Sequence, residues 1–230
     1  MFISQNNKLF QLEKLETLHS KLNRHLENQS KHYTNFIYAK EKGFYQGFDE
    51  IHLEGCRSTE KRFENYNIEH LLSREKTGLD IGCNCGFFSI YVSRFLGSMD
   101  GIDINPYLIN IANDTKNYLN IDNLNFETSS FENFTTHKTY DLIFSLANDE
   151  TIDGLTKFSF TEYIKKITNL LKDSGYLIFE SQAEDVILDE KFNQKLEVLK
   201  NFFDIVENRS IDSEYPVNVP TRFFLILKQK

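Results

Sequence analysis

Two glycines and one acid are the first residues in this sequence whose types and spacing could do chemistry. The run Leu79–Phe87 reads LDIGCNCGF, so Gly82 and Gly86 form a G-x-x-x-G turn after an apolar strand. Glycine permits unusual backbone angles and the close approach of a ligand, which a Cβ would block. About twenty residues later, Asp103 ends a second apolar run, where its carboxylate could accept both hydroxyls of a ribose. The pattern predicts a nucleoside ligand at this sheet edge.

A dinucleotide-binding loop is the main alternative for a glycine turn between a strand and a helix. Its G-x-G-x-x-G pattern presents a helix N-terminus to a pyrophosphate. Here neither Asn84 nor Phe87 is glycine, so the dinucleotide fingerprint fails. The loop taken alone therefore indicates a nucleotide-like ligand of another kind.

The segments around this loop alternate between apolar and amphipathic runs. Such alternation predicts a parallel sheet with crossover helices on both faces. Helices are expected at 59–72, 86–96, 106–119, 161–172 (ended by Gly175) and 190–202 (capped by Asp189). Strands are expected at 78–81, 99–104, 124–127, 140–146, 176–180, 203–208 and 221–228. We predict an α/β fold with a seven-stranded, mostly parallel Rossmann-like sheet and a C-terminal antiparallel hairpin.

Residues 1–62 are expected to form an N-terminal helical extension and a substrate-side loop, ahead of a main domain at 63–230. Leucines three and four residues apart predict an amphipathic helix over 8–30: Leu9, Leu12, Leu15, Leu18, Leu22 and Leu26. Such a stripe usually packs on its own domain, and a homodimer seam or a lid over the site are the alternatives. The aromatic stretch 36–62 is expected to be a loop with a functional role.

Composition limits the classes of protein that this chain can belong to. A net charge of -8 and a pI near 5.3 argue against a surface that holds long nucleic acid, which needs clustered Lys and Arg. No apolar run is long enough to span a bilayer, and the polar N-terminus does not resemble a signal peptide. Three cysteines with no zinc-site spacing fit a reducing compartment. A cytoplasmic protein is expected.

Beyond these patterns, the sequence resembles the class I S-adenosylmethionine-dependent methyltransferases over about 62–230. The resemblance rests on four segments: LDIGCNCG at 79–86 (first motif), GID at 101–103 (acidic motif), YDLIFSLAND at 140–149 (fourth motif) and LKDSGYLIF at 171–179 (entry to the fifth strand). It implies S-adenosylmethionine as the cofactor. It also implies an enzyme that transfers a methyl group.

The resemblance assigns the cofactor contacts residue by residue. The methionine end would lie against the turn formed by Asp80, Gly82, Cys83, Asn84 and Gly86. Asp103 would hold the ribose, Ile104 would pack on the adenine, and the sulfonium would face Ser145 and Leu146. Many relatives place an Asp after the third strand for the adenine amino group, whereas residues 127–131 read ETSSF. Ser130 or the backbone of Phe131 is expected to serve instead.

The acceptor side carries fewer signals, because a sulfonium is already activated and the protein has only to align an acceptor and, for a hydroxyl, remove a proton. No N-P-P-[YF] sequence follows the fourth motif, which disfavours methylation of a base or amide nitrogen. Asp149 or Glu150 could act as general base, with His52 as a further candidate. The two acids could alternatively bind a divalent cation with Glu180, or be solvated loop acids.

A cationic group beside the aromatic loop offers a site for the acceptor. Arg57 and Arg62 lie near Tyr45 and Gln46 in sequence, and arginine binds carboxylate or phosphate with two parallel hydrogen bonds. The segment loosely resembles bacterial methyltransferases of surface polysaccharides or small metabolites. We therefore predict O-methylation of a hydroxyl or anionic group on a sugar or phosphorylated metabolite. An RNA methyltransferase, or a non-catalytic cofactor-binding subunit that activates a partner, are the alternatives.

Overall fold

The strands of this computed structural model, which describes residues 2–32, 43–150 and 157–230, form one large sheet and one small one. They are β1 (Phe44–Gly47), β2 (Gly55–Ser58), β3 (Thr77–Ile81), β4 (Ser98–Asp103), β5 (Leu124–Thr128), β6 (Tyr140–Leu146), β7 (Leu171–Glu180), β8 (Phe203–Asp212) and β9 (Thr221–Gln229). The large sheet has the order β5-β4-β3-β6-β7-β9-β8. Its β9 runs antiparallel to β7 and β8, and its other neighbouring pairs are parallel. The predicted sheet and hairpin are confirmed.

Helices connect these strands, and two of them begin at capping residues, whereas Asp189, predicted to cap a helix, is instead its first residue and Leu188 is the N-cap. They are α1 (Phe2–His32), α2 (Thr59–Tyr66), α3 (Phe87–Ser93), α4 (Pro106–Tyr118), α5 (Phe160–Leu170), α6 (Ala183–Ile187) and α7 (Asp189–Phe202). The Ser58 side chain accepts from the backbone N–H of Lys61 at the start of α2. Asn105 caps α4 in the same way, with Pro106 in the first turn, where its missing N–H costs no hydrogen bond.

The core lies on both faces of the large sheet, because successive side chains of a strand point to opposite sides. Along β6, Leu142 and Phe144 pack into a cluster with residues of α1, α3 and α4, whereas Ile143 packs into a second cluster with residues of α5 and α7. All three side chains are fully buried. Helices therefore cover both faces, as the alternation of segments predicted.

Three predicted helix ends are wrong. The helix expected at 59–72 ends at Tyr66, and the one expected at 86–96 ends at Ser93. The helix expected at 161–172 ends at Leu170, and Leu171 already pairs with Tyr140 in the sheet. Leu171 is buried, so its place in the core outweighs the helical spacing that continues past it. Gly175 lies inside β7 near an irregularity in the pairing with β6, and does not end the helix.

The N-terminal extension packs on the domain, and α2 spans the boundary predicted at residue 62. Leu18 and Leu22 are buried in the shared core, and His25 Nε2 lies 3.1 Å from Asp114 Oδ2 on α4. Where a loop was expected, β1 and β2 pair in parallel. The aromatic run at 36–38 and the side chain of Leu9 fall outside the described residues. Within the described part of the chain, no helix is long and apolar enough to cross a membrane.

Candidate cofactor and acceptor site

The glycine turn after β3 has the backbone geometry that its residue types predicted. Gly82 and Gly86 have φ angles of 66° and 71°, and Asn84, at 55°, shares this left-handed region. A Cβ added to Gly86 would lie 2.5 Å from Phe126 Cζ and 2.6 Å from Ala112 Cβ. Gly86 is thus required for packing α3 against its neighbours, whereas a Cβ on Gly82 would lie 2.7 Å from the side-chain nitrogen of Asn148.

Asp103, at the end of β4, ties the turn to the next loop. Its Oδ2 accepts from the backbone N–H of Asn84 and its Oδ1 from that of Asn105, both at 2.9 Å. A carboxylate oxygen can accept more than one hydrogen bond, and the contact of Asp103 with ribose hydroxyls stays a prediction. Ile104, next in the chain, is half-buried, as a residue that packs on a base would be.

Asp80 is the second acid of the turn, and it is almost completely buried. Its Oδ2 accepts from the Ser89 hydroxyl at 2.5 Å. Burial raises the pKa of Asp80 to about 7, against the opposing effect of that hydrogen bond. The Asp80 carboxyl is therefore partly protonated near neutral pH, so its negative charge changes with pH in this range.

Gln46 lies against the glycine turn, on the cofactor side of the cleft. Its Nε2 donates to the Cys83 carbonyl at 3.4 Å, and its Oε1 accepts from the Phe87 N–H at 3.2 Å. Gln46 therefore supplies an acceptor to the first turn of α3. The thiols of Cys83 and Cys85 are buried beside it, and burial raises the pKa of both.

Ser130 and Phe131, the residues predicted to contact the adenine, follow β5. The Ser130 hydroxyl accepts from the Asn133 N–H at 3.2 Å, and its carbonyl accepts from the Phe134 N–H at 2.9 Å. The Phe131 ring packs edge-on against Tyr163, with centroids 5.0 Å apart. The ring thus belongs to the core, and the adenine contact through Ser130 or the Phe131 backbone stays a prediction.

At the end of β6, three side chains form a closed triangle. The Asn148 Oδ1 lies 2.9 Å from Ser145 Oγ and 3.0 Å from Tyr163 OH, and the two hydroxyls are 2.9 Å apart. Ser145 and Tyr163 are buried, and Leu146 is half-buried. The predicted neighbours of the sulfonium thus lie beside an amide that the sequence analysis had not assigned.

The two candidate bases after β6 both form ion pairs with lysines. Asp149 is buried and its Oδ2 lies 2.6 Å from Lys195 Nζ, which also lies 2.8 Å from Asp185 Oδ2. Burial raises the pKa of Asp149 to about 6, although the charge of Lys195 lowers it. Glu150 lies 2.5 Å from Lys191 Nζ. Burial would raise the pKa of Glu150, but this hydrogen bond and the lysine charges outweigh it, so the pKa falls.

Glu180, at the end of β7, lies in a buried arginine cluster that we define as Arg57, Arg62, Tyr66 and Glu180. Arg57 Nη1 donates to Glu180 Oε1 at 2.7 Å, Arg62 Nη2 lies 3.5 Å from Oε2, and the Tyr66 hydroxyl also donates to Oε2. Burial opposes ionisation, but the two arginine charges lower the pKa of Glu180 to about 2. The cluster therefore combines two cations with one carboxylate.

The arginine cluster contains or contacts most of the residues predicted to bind the acceptor. Tyr45 is half-buried at its edge, with its hydroxyl 3.4 Å from Arg57 Nη1. Arg57 and Arg62 are both buried. Glu180 is held by arginines and Asp149 by a lysine, and no metal-binding group of three His, Cys, Asp or Glu exists among the described residues. The divalent-cation alternative gains no support.

His52 does not join the other candidates. It is exposed in a left-handed turn between β1 and β2, with φ 51°, where its backbone N–H donates to the Asp49 carbonyl. The important residues that sequence reasoning missed are Asn148, Tyr163 and Lys195. Tyr163 lies in the helix predicted at 161–172, where no pattern assigned it a role, and the lysine gave no signal.

The fold and the turn together define the Rossmann-like class of S-adenosylmethionine-binding domains. The family model described as a methyltransferase domain matches residues 72–218. The chain belongs to that family, and its cofactor is S-adenosylmethionine, as predicted. The residues fit this cofactor, because a buried amide nitrogen of Asn148 beside Gly82 has no hydrogen-bond partner, and the Asp103 carboxylate ends β4 next to the glycine turn.

Two curated relatives differ in the acceptors that their names state. The release factor glutamine methyltransferase of Fusobacterium nucleatum is 32% identical over 182 residues, 66% of this chain and 49% of that protein. The malonyl-[acyl-carrier protein] O-methyltransferase 1 of Ilyobacter polytropus is 30% identical over 135 residues, 55% of this chain and 50% of that protein. The chain spans about half the length of the curated relatives it matches.

Solved structures share the fold at low identity. The N-methyltransferase NodS of Bradyrhizobium japonicum, in complex with S-adenosylhomocysteine, aligns with a TM-score of 0.58 at 17% identity, over 74% of this chain and 86% of that chain. A SAM-dependent methyltransferase from Methanosarcina mazei aligns with a TM-score of 0.58 at 19% identity, over 70% of this chain and 96% of that chain. These similarities support the fold alone.

Proposed function

We propose that this protein transfers the methyl group of S-adenosylmethionine to an oxygen that already carries negative charge, on a small-molecule or glycan acceptor. A carboxylate is the simplest such group. The observation that carries the proposal is the state of the acids after β6, where Asp149 is paired with Lys195 and Glu150 with Lys191. Neither acid is placed to take a proton from a neutral hydroxyl.

Methylation of a hydroxyl needs a base, because the proton must leave as the new bond forms. Among the described residues, the remaining candidates are unsuited to this role. His52 is exposed in a turn between β1 and β2, and Asp80 is buried and bonded to Ser89. A carboxylate is ionised at neutral pH, with an ordinary pKa near 4. An acceptor of this kind would react without a protein base.

Methyl transfer to a carboxylate oxygen needs no proton transfer. The cofactor supplies a methyl group on a positively charged sulfur. The acceptor oxygen donates an electron pair to the methyl carbon, the carbon–sulfur bond breaks, and its electrons stay on sulfur as a neutral thioether. Ser145 and Leu146 would border the reacting sulfur, and the role of the protein is to align the two groups and exclude water. One cation and one anion become two neutral products.

Charge near the cleft also favours an anionic acceptor. Arg57 and Arg62 share the single carboxylate of Glu180, so these three groups keep an excess positive charge. Burial away from water lets that charge act over a longer distance than it would at the surface. The arrangement supports attraction of an anion to the end of β7.

The two curated relatives differ in acceptor atom, and the sequence after β6 favours the oxygen acceptor. The relative from Ilyobacter polytropus is named as an O-methyltransferase of a malonyl group, which carries a free carboxylate. The relative from Fusobacterium nucleatum is named for a glutamine acceptor. After β6 this chain reads Leu146-Ala147-Asn148, without the N-P-P-[YF] sequence that indicates an amide nitrogen in this fold. The proposed acceptor therefore follows the name of the relative from Ilyobacter polytropus.

Methyl transfer from tritiated S-adenosylmethionine tests this proposal. The purified protein is given malonyl-acyl carrier protein, free dicarboxylates, neutral sugars, phosphorylated sugars and RNA. A carboxylate acceptor gives a methyl ester, whose label is released as methanol by mild alkali. Alkali-stable label on a hydroxyl or on RNA would contradict the proposal. Glu150→Gln is the matched control, and its rate should stay within about twofold of wild type.

A further inference from the structure

We propose that the side-chain amide of Asn148 binds the amino-acid end of S-adenosylmethionine by donating a hydrogen bond to its carboxylate. The inference depends on the cofactor assignment and is independent of the acceptor. Asn148 follows the buried end of β6, and its amide reaches back toward the turn after β3. It would be a binding residue for the cofactor.

The oxygen of this amide is fixed inside the protein. Asn148 Oδ1 accepts from the Ser145 hydroxyl at 2.9 Å and from the Tyr163 hydroxyl at 3.0 Å. Ser145 is fully buried, and Tyr163 is 2% exposed. Because both hydroxyls are held in the core, they orient the planar amide and direct its nitrogen away from them.

The nitrogen of the amide has no partner. Asn148 Nδ2 is buried and makes no hydrogen bond. Buried donors are almost always paired, so an exception calls for an explanation such as a ligand. A Cβ added to Gly82 would lie 2.7 Å from this nitrogen, so the bare Cα of Gly82 is what leaves room for it. The donor therefore sits directly over the glycine turn that borders the cofactor.

The backbone before Asn148 is held in an unfavourable conformation. Ala147 has a φ of 59°, in the left-handed region that residues with a Cβ rarely adopt. Its N–H donates to the Glu180 carbonyl at 2.9 Å, which fixes this bend between the ends of β6 and β7. Strain of this kind persists where the surrounding structure requires it, and it is frequent at ligand sites. The bend directs Asn148 back over Gly82.

The order of the strands places this donor opposite the ribose site. Asp103 ends β4, Asn148 follows β6, and β3 lies between the two strands. Neighbouring strands are about 4.8 Å apart, so the two residues lie on the order of 10 Å apart across the sheet. A nucleoside whose ribose binds Asp103 extends its other end across β3 toward β6. The carboxylate there is a group that an N–H donor can bind.

Calorimetric titration with two ligands tests this assignment. S-adenosylhomocysteine carries the amino-acid end, and 5′-methylthioadenosine lacks it. Asn148→Ala should weaken binding of the first about tenfold and leave the second within about twofold of wild type. Asn148→Asp should weaken S-adenosylhomocysteine further, because a negative charge replaces the donor. Unchanged binding of methylthioadenosine reports that each variant is folded.

Three outcomes would overturn the assignment. Equal losses for both ligands would show that Asn148 acts on the fold or on the adenosine. Tighter binding of S-adenosylhomocysteine by Asn148→Asp would show that the amide faces the ammonium group. If the wild-type protein bound neither ligand, the cofactor assignment itself would fail, and this result is distinct from the other two. Tyr163→Phe is the matched control, because it removes one hydroxyl from the amide and should give a smaller loss for S-adenosylhomocysteine alone.

Discussion

The two halves of the cleft are built by different interactions. At the ends of β3 and β4, residues close in sequence meet through backbone hydrogen bonds, such as the Asn84 N–H to Asp103. At the ends of β6 and β7, charged residues far apart in sequence pair with each other, as Arg57 does with Glu180, 123 positions away. The first half is joined mainly through backbone groups. The second half is joined by ion pairs, and its arginine cluster keeps one positive charge in excess.

This difference explains why the cofactor is readily identified and the acceptor is not. The cofactor motif can be recognised from the sequence, because the glycine turn and Asp103 lie within about twenty residues of each other. The role of a single charged side chain cannot be recognised in this way. Arg57 could hold a ligand or a carboxylate of its own chain, and only the three-dimensional contacts distinguish these roles.

The largest effect is expected when the arginine cluster loses its carboxylate. Glu180→Gln leaves Arg57 and Arg62 buried without a counter-charge, which should lower the free energy of unfolding by about 3–5 kcal/mol at pH 7. Chemical denaturation measures the change. Glu184→Gln is the matched control, because its carboxylate is 73% exposed and only weakly paired, so it should change stability by less than about 0.5 kcal/mol.

The same variant has a defined pH dependence. Because the pKa of Glu180 is lowered to about 2 in the folded protein, its stabilising effect is complete above its ordinary pKa of 4.5 and is lost as the pH falls toward 2. The stability gap between wild type and Glu180→Gln should therefore shrink between pH 5 and pH 3. A gap that stays constant over this range would show that the arginines do not stabilise the carboxylate.

A smaller effect of opposite sign is expected in the cofactor half. The pKa of Asp80 is raised to about 7, so its effect on stability is most favourable at low pH and is lost as the pH rises through 7. Asp80→Asn removes this pH-dependent effect on stability and keeps an acceptor for the Ser89 hydroxyl. Its stability relative to wild type should rise by roughly 1 kcal/mol per pH unit between pH 5 and pH 7. Thermal denaturation curves with parallel pH profiles would contradict the raised pKa.

The smallest expected effect concerns the contact between the extension and the glycine turn. Gln46→Ala removes one donor and one acceptor from the turn, at Cys83 and Phe87, and should destabilise the protein by about 1–2 kcal/mol. It should also weaken S-adenosylhomocysteine severalfold, measured by calorimetry. Gln46→Met keeps the volume of the side chain and removes both hydrogen-bonding groups, so it should lose as much affinity as Gln46→Ala. Wild-type affinity in Gln46→Met would exclude this role.

Much of the fold follows from the sequence, because burial and capping act locally. The seven strands were predicted from apolar runs, and Asn105 with Pro106 marked the start of α4. The error at Leu171 arose because a helix and a buried strand both require apolar residues there, and pairing with Tyr140 decides between them. The parallel pairing of β1 with β2 had no periodic signal in such short segments.

The acceptor half could not be predicted to the same extent. Asp149 and Glu150 were identified as candidate acids, but their lysine partners come from α7, some forty residues later. Gln46 was placed with the acceptor because of its neighbours in sequence, yet it contacts the backbone of the cofactor turn. Contacts of this kind depend on packing between distant segments, which spacing along the chain does not encode.

The central claim is that the carboxyl ends of β3, β4 and β6 form an S-adenosylmethionine site. Calorimetric titration of S-adenosylhomocysteine into wild-type protein and into Asp103→Asn tests it most directly. One molecule should bind each wild-type chain, and Asp103→Asn should weaken binding by about tenfold or more, since an amide replaces the charged acceptor of the ribose hydroxyls. Absence of binding to the wild type, or equal affinity for both proteins, would contradict the claim.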